Sequence, residues 1–258
     1  MGTVSTVSMI GMGVTLLIAI GLPIGLLIYA RTKLGANIIW AGIGAVTFIV
    51  FALLLEQILH TIVFGLFGET MNGNIFVKAI YGGLAAGVFE EVGRYISMNL
   101  FKKKNLSKQN ALMYGVGHGG IEAIIIVGLT SISNLATSFM INTGMLETSL
   151  SVLDEQTREA TLNQVSLLWT SHPSTFYMGG VERIFAIALQ VCLSYIVYRA
   201  VKDGKIQLLF LAIGLHAFVD FVTVLVNEFA PAIVVELVLI VIVAIIAPLV
   251  YKKYSDEE

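Results

Sequence analysis

Charge is scarce in this chain. Asp, Glu, Lys and Arg make up 12% of its 258 residues, about half the share usual in soluble globular domains. Cysteine occurs once and proline four times. A single cysteine excludes an intramolecular disulfide, and Cys192, set in an apolar run, reads as a buried inert thiol. So few prolines leave room for long unbroken helices. There is no basic tract suited to nucleic acid. The net charge of −2 selects no charged partner.

Hydrophobic residues, by contrast, make up 57% of the chain, and its mean hydropathy is +0.89. A helix needs about 20 apolar residues to cross a bilayer. Seven segments qualify, at 8–30, 36–64, 75–101, 109–132, 174–198, 206–228 and 231–251. The expected fold is all-α: a polytopic transmembrane helical bundle of about seven spans, one integral membrane domain over 1–258, whose first partner is the lipid bilayer. The N-terminal apolar run is too long for a cleavable leader and lacks a basic flank. Pro23 is expected to kink the first span, and Pro231 to open the last.

Lysine and arginine orient the bundle. Arg31 and Lys33 follow the first span, Lys102, Lys103, Lys104 and Lys108 the third, Arg199, Lys202 and Lys205 the fifth, and Lys252 and Lys253 the seventh. An alternating chain puts all of these on one side, against only Lys78 and Arg158 on the other. The reading is a multi-pass protein of the cell membrane with its N-terminus outside and its C-terminus in the cytoplasm. One long outer connection, 133–173, carries Leu146, Leu150, Leu153, Leu162, Val165, Leu168 and Trp169 at helical spacing. A short amphipathic helix is expected there, as a packed connector or a lid. Glu56 and His60, near the outer boundary, and His172 in the connection are expected to meet solvent. Glu228 and Glu236 flank a short outer turn, where charge is ordinary.

Four stretches break the apolar pattern: Phe89–Tyr95 (FEEVGRY), Tyr114–Glu122 (YGVGHGGIE), Gly179–Arg183 (GGVER) and His216–Asp220 (HAFVD). Ionisable residues inside a span mark functional sites by default, because a charge in hydrocarbon is expensive. At a rise of 1.5 Å per residue, Glu90, Glu91, His118 and His216 all lie about 15–18 Å in from the flanking lysines. Glu122 and Asp220 follow the two histidines by four residues and share their helix faces. Glu182 comes at a similar depth, and Arg94 lies on the Glu90 face. The candidate catalytic residues are therefore Glu90, Glu91, His118, His216, Asp220 and Arg94, with Glu122 and Glu182 as secondary candidates. His118, His216, Glu91 and Asp220 supply the imidazole nitrogens and carboxylate oxygens that zinc takes. A metal-free route, with a buried glutamate activating water, stays open. Gly82, Gly83 and Gly87, with Gly115, Gly117, Gly119 and Gly120, either bring helices close or leave room for a substrate backbone.

In this order the motifs resemble the YhfC family of bacterial intramembrane metalloproteases. That family sits in the wider superfamily of CAAX-type prenyl endopeptidases, Abi/CPBP immunity proteins and PrsW proteases. Glu90-Glu91-Val92-Gly93-Arg94 is similar to the superfamily's Glu-Glu-xxx-Arg motif, one residue shorter. Tyr114 to His118 resembles its Phe-xxx-His, and His216 to Asp220 its His-xxx-Asn/Asp. The resemblance implies hydrolysis of peptide bonds in a membrane protein or peptide substrate. It implies that Glu90 acts with His118 on the hydrolytic water, and that His216 and Asp220 bind metal or steady the oxyanion. The extra acids Glu122 and Glu182 argue against carrying over prenyl specificity. Two rival readings remain: a proton- or ion-coupled transporter, disfavoured by the absence of an internal repeat, and a non-catalytic membrane regulator or immunity protein.

The topology predicts that a cysteine placed at Ser255 is labelled by an impermeant maleimide only after the cytoplasmic face is opened. Labelling from intact cells would invert the assignment.

Overall fold

The computed structural model of the chain describes residues 2–257, and these are helical throughout, with no strand among them. Six helices are long and apolar enough to cross a membrane: α1 Thr6–Lys33, α2 Ile39–Gly73, α4 Lys108–Asn142, α7 Ser174–Asp203, α8 Ile206–Phe229 and α9 Ala232–Ser255. The remaining long helix, α3, spans Ile75–Phe101. Its 27 residues reach about 40 Å, but Lys78, Glu90, Glu91 and Arg94 lower its apolarity. The span of the sequence reading that is not among these six is thus the third, the helix that carries the paired glutamates. Two short helices, α5 Met145–Leu150 and α6 Glu155–Thr170, connect α4 to α7.

Local chemistry sets the ends. The Asn74 side chain accepts from the amides of Phe76 and Val77 at the start of α3, Ser107 caps α4, and Asp154 caps α6, each satisfying otherwise orphaned amides. Gly204, at φ +66°, stops α7 in the left-handed region that glycine adopts without cost. Pro231 precedes α9 as its cap and is not its first helical residue. Helix α1 runs on through Pro23 as one element. Two spans contain π-helical turns, Ile49–Glu56 in α2 and Ala123–Gly128 in α4. Such turns shift the register of the helix that follows and are frequent at functional sites. One ends on Glu56 and the other begins directly after Glu122.

The bundle is apolar outside and polar inside. Leu17, Leu100, Phe210 and Leu249 are each 65–72% exposed, while Glu90, Glu91, Arg94, His118, Gln190, Ser194 and His216 are buried. Helix α7 is central, packing against α1, α3, α4, α8 and α9. At the lysine-rich end, Trp40, Met98, Tyr114, Leu193 and Tyr198 form the main core. There Glu257 accepts hydrogen bonds from Tyr195, Tyr198 and Lys202. Burial opposes its charge, but these donors outweigh burial and hold the carboxyl below its ordinary value. At the opposite end Val4, Met12, Ile141, Leu146, Leu150 and Leu168 form a second core, with Leu162, Val165 and Trp169 against it. Residues 133–142, expected in the long connection, continue α4 instead. Leu146 and Leu150 of α5 and Leu162 and Leu168 of α6 are spent on packing, whereas Leu167 and, between the two helices, Leu153 are exposed.

Glycines set the closest helix contacts. A Cβ on Gly83 would overlap the Ala217 carbonyl of α8, and one on Gly117 the Ala41 carbonyl of α2, whereas one on Gly82 would meet nothing. Small residues drive such approaches because lipid offers no hydrophobic drive between helices. Gly83→Ala is expected to lower stability by about 1–3 kcal/mol through overpacking, and Gly82→Ala to leave it level or slightly raised. Equal unfolding midpoints for the two variants in detergent would refute this packing assignment.

Candidate functional site

The carboxylates and histidines of α3, α4 and α8 meet in the middle of the bundle. Glu90 Oε2 lies 2.9 Å from His118 Nε2, and Glu91 Oε1 lies 2.8 Å from His216 Nδ1. Adjacent glutamates on one helix diverge by about 100°, so each takes a different imidazole. A carboxylate can only accept, so His118 donates through Nε2 and His216 through Nδ1. The other nitrogen of His216 is 3.6 Å from Asp220 Oδ2. The other nitrogen of His118 is buried without a partner. Phe48 meets the His118 ring edge-on at 5.3 Å, and Tyr114 stacks on it at 6.1 Å.

Arg94 does not reach this space. It is fully buried, 3.4 Å from Glu91 Oε2, and donates to the Gln190 carbonyl and Ser194 Oγ at 2.9 Å each and to Gln190 Oε1 at 2.5 Å. It pairs with the second glutamate and anchors α3 to α7. Gln190 is the residue that sequence reasoning missed. Its amide nitrogen donates to Glu90 Oε2 at 3.1 Å and to Glu122 Oε2 at 3.0 Å, so one side chain ties Arg94 to two carboxylates. The available signal was an amide inside the apolar run Ile187–Leu193, which must find partners when buried. Glu122 shares a face with His118 but spends its oxygens on Gln190 and on Arg183, whose Nη1 donates at 2.8 Å. Arg183 also donates to Glu182. GGVER thus supplies an ion pair between α7 and α4.

A polar cavity of about 190 Å³ lies beside these groups, lined by Glu90, Glu122, Glu182, Arg183, Gln190, His216, Asp220, Thr223 and Glu236 among others. Two expectations change here. Glu236 is buried at 9% exposure and lines the cavity; it is not an ordinary charge at an outer turn. Glu56, the last residue of a π-helical turn, is buried at 6% exposure and pairs at 3.1 Å with His60, whose side chain keeps 25% exposure. His60 also bonds Tyr81 at 2.8 Å. His172 is exposed as expected, bonded to Ser174.

A cavity lined by five acids and one imidazole inside a bundle of apolar helices defines a polytopic helical membrane protein with a polar interior. The chain belongs to the YhfC family: the model described as YhfC intramembrane metalloprotease matches residues 17–246. It is 43% identical over 213 residues to a Bacillus subtilis (strain 168) protein described as uncharacterized membrane protein YhfC, an alignment that covers 81% of either chain. No solved structure matches it.

The family's description implies a metal. The donor types suit zinc, but among the described residues no three His, Cys, Asp or Glu side chains are arranged to hold one ion. Each imidazole faces a carboxylate of its own. The arrangement therefore does not fit a three-ligand centre with His118, His216, Glu91 and Asp220 converged on one point.

Replacing Gln190 with Leu would strip a partner from Arg94, Glu90 and Glu122 together. The expected loss is about 3 kcal/mol, read as a lower thermal midpoint of the purified protein. An unchanged midpoint would show that the amide holds nothing together.

Proposed function

We propose that this chain is an intramembrane protease that hydrolyses peptide bonds of membrane-embedded or membrane-associated substrates, with Glu90 as general base. The observation that carries the reading is the Glu90–His118 pair at the wall of a polar cavity, with His216 lining the same cavity. Glu90 spends Oε2 on His118 and Gln190. That leaves Oε1 free of hydrogen bonds from the described residues, in a residue that lines the cavity.

In this reading a water beside Glu90 Oε1 loses a proton to the carboxylate as its oxygen attacks the scissile carbonyl carbon. His118 fixes the carboxylate's orientation. His216 in its imidazolium form donates through Nε2 to the developing oxyanion, a charge that a buried site stabilises far better than water does. Glu91 holds the His216 ring by Nδ1, and Arg94 holds Glu91. Asp220 pairs with His216 Nε2 until a carbonyl arrives. The proton taken by Glu90 passes to the leaving amine as the carbon–nitrogen bond breaks, which restores the carboxylate. Glu90 and His216 touch the reacting atoms. His118, Glu91, Asp220 and Arg94 position them, and Glu122 and Glu182 shape the far wall with Arg183. The lysine-rich end is read as cytoplasmic, as in the topology above.

Glu90→Gln is expected to lower cleavage of a membrane-protein substrate by about 10²–10⁴-fold while insertion and unfolding midpoint hold. Cleavage at the parental rate would remove Glu90 from the chemistry. Metal analysis of the purified protein beside a His118→Ala/His216→Ala double variant reads the zinc question directly. About one zinc per chain, lost in the variant, would require a ligand set formed by rearrangement of these side chains. Cleavage by metal-free protein would assign the chemistry to Glu90 and its neighbours alone.

A further inference from the structure

The cavity beside Glu90 holds more acid than base. Glu90, Glu122, Glu182, Asp220 and Glu236 line it, against Arg183 and His216. Four of the five acids are matched within the protein. Glu90 has His118 and Gln190, Glu122 and Glu182 share Arg183, and Asp220 faces His216. Glu236 has none of these. Its Oε2 is shielded from solvent and receives no hydrogen bond from the described residues, and the residue is only 9% exposed. An unpaired acid in a low-dielectric interior is costly, and native structures rarely keep one without a use.

We infer that Glu236 forms a subsite for a cationic group, an ammonium or guanidinium on an alkyl stem carried by the substrate next to its cleaved bond. The cavity has the room of about six liquid waters, enough for an aliphatic amine. Leu189, Val219, Val235 and Leu239 line the same space and would cover such a stem while its charged end meets the carboxylate, as lysine and arginine side chains do elsewhere. Glu236 sits in the second turn of α9, which begins at Ala232, so the subsite lies between the Glu90 end of the cavity and the α8–α9 turn. A resident metal does not explain the acid, because no three His, Cys, Asp or Glu among the described residues are placed to hold one. The position of the bound group relative to a cleaved bond rests on the hydrolytic reading. The preference for a cation does not.

Binding of three soluble tripeptides to the purified full-length protein separates the two. The probes are acetyl-Leu-Lys-Leu-amide and its Gln and Glu counterparts, measured by calorimetry in detergent. The unmutated protein should bind the Lys peptide about ten-fold tighter than the Gln peptide and the Glu peptide most weakly. In Glu236→Gln the Lys preference should vanish while the Gln peptide still binds. Equal affinities for all three peptides, no binding of any, or a Lys preference that survives Glu236→Gln would overturn the subsite. If Glu236→Gln fails to fold, Glu236→Met takes its place, with the same loss of the Lys preference expected and its survival overturning the subsite. A Lys preference without turnover on any membrane substrate would refute the protease reading and leave the subsite standing. Turnover abolished by Glu90→Gln without any Lys preference would do the reverse.

Discussion

The rest of this structure depends on the cost of charge in hydrocarbon. Lipid cannot satisfy Arg94, Glu90, Glu91, Glu122 or Arg183, so each must find its partner on another part of the bundle. The partners found are specific. Arg94 ties α3 to α7 through Gln190 and Ser194, Glu90 ties α3 to α4 through His118, and Glu91 ties α3 to α8 through His216. Removing one member leaves a buried charge uncompensated, which costs more than the pair contributes. The polar centre therefore specifies which helices neighbour which, and apolar packing fills in around it.

Glycine makes those pairings geometrically possible. Gly83 and Gly87 let α3 lie against the backbone of α8, and Gly117 lets α4 lie against α2. Without them, side chains would separate the helices and stretch hydrogen bonds of 2.8–2.9 Å beyond reach. Small residues and buried charges thus work as one device: the first set the distance at which the second can pair. The π-helical turns add rotation. One places Glu56 inward, and the other follows Glu122 as α4 turns away from the centre.

Much of the site was legible along the chain, for a definite reason. Depth in a membrane helix is counted at a fixed rise per residue, so Glu90, Glu91, His118 and His216 could be placed in one layer without coordinates, and their hydrogen bonds agree with that count. Pairing was not legible, because it depends on rotation about each helix axis. Spacing by four put Glu122 on the His118 face, yet Glu122 pairs with Arg183 and Gln190 across the bundle. Arg94 shared a face with Glu90, yet it lies behind Glu91. Gln190 carries no charge and so gave no alarm, although it links Arg94 with Glu90 and Glu122. Glu56 and Glu236 depart from the sequence expectation for one shared cause: exposure is decided by a neighbouring helix and not by distance from a span's end.

Residue order and hydropathy are enough to establish an all-helical membrane protein, the course of its spans, and the polar residues that stand at a common depth. These follow from local quantities, namely hydropathy over about 20 residues and a constant helical rise. Which glutamate lines the cavity and which is locked beside Arg94 emerges only from the assembled bundle. So does the one amide that joins the ionic pairs, and so does Glu236, whose Oε2 has no partner among the described residues. Those are facts about which side chains meet across helices distant in sequence. They are set by the joint packing of α3, α4, α7, α8 and α9, and no stretch of the chain read alone contains them.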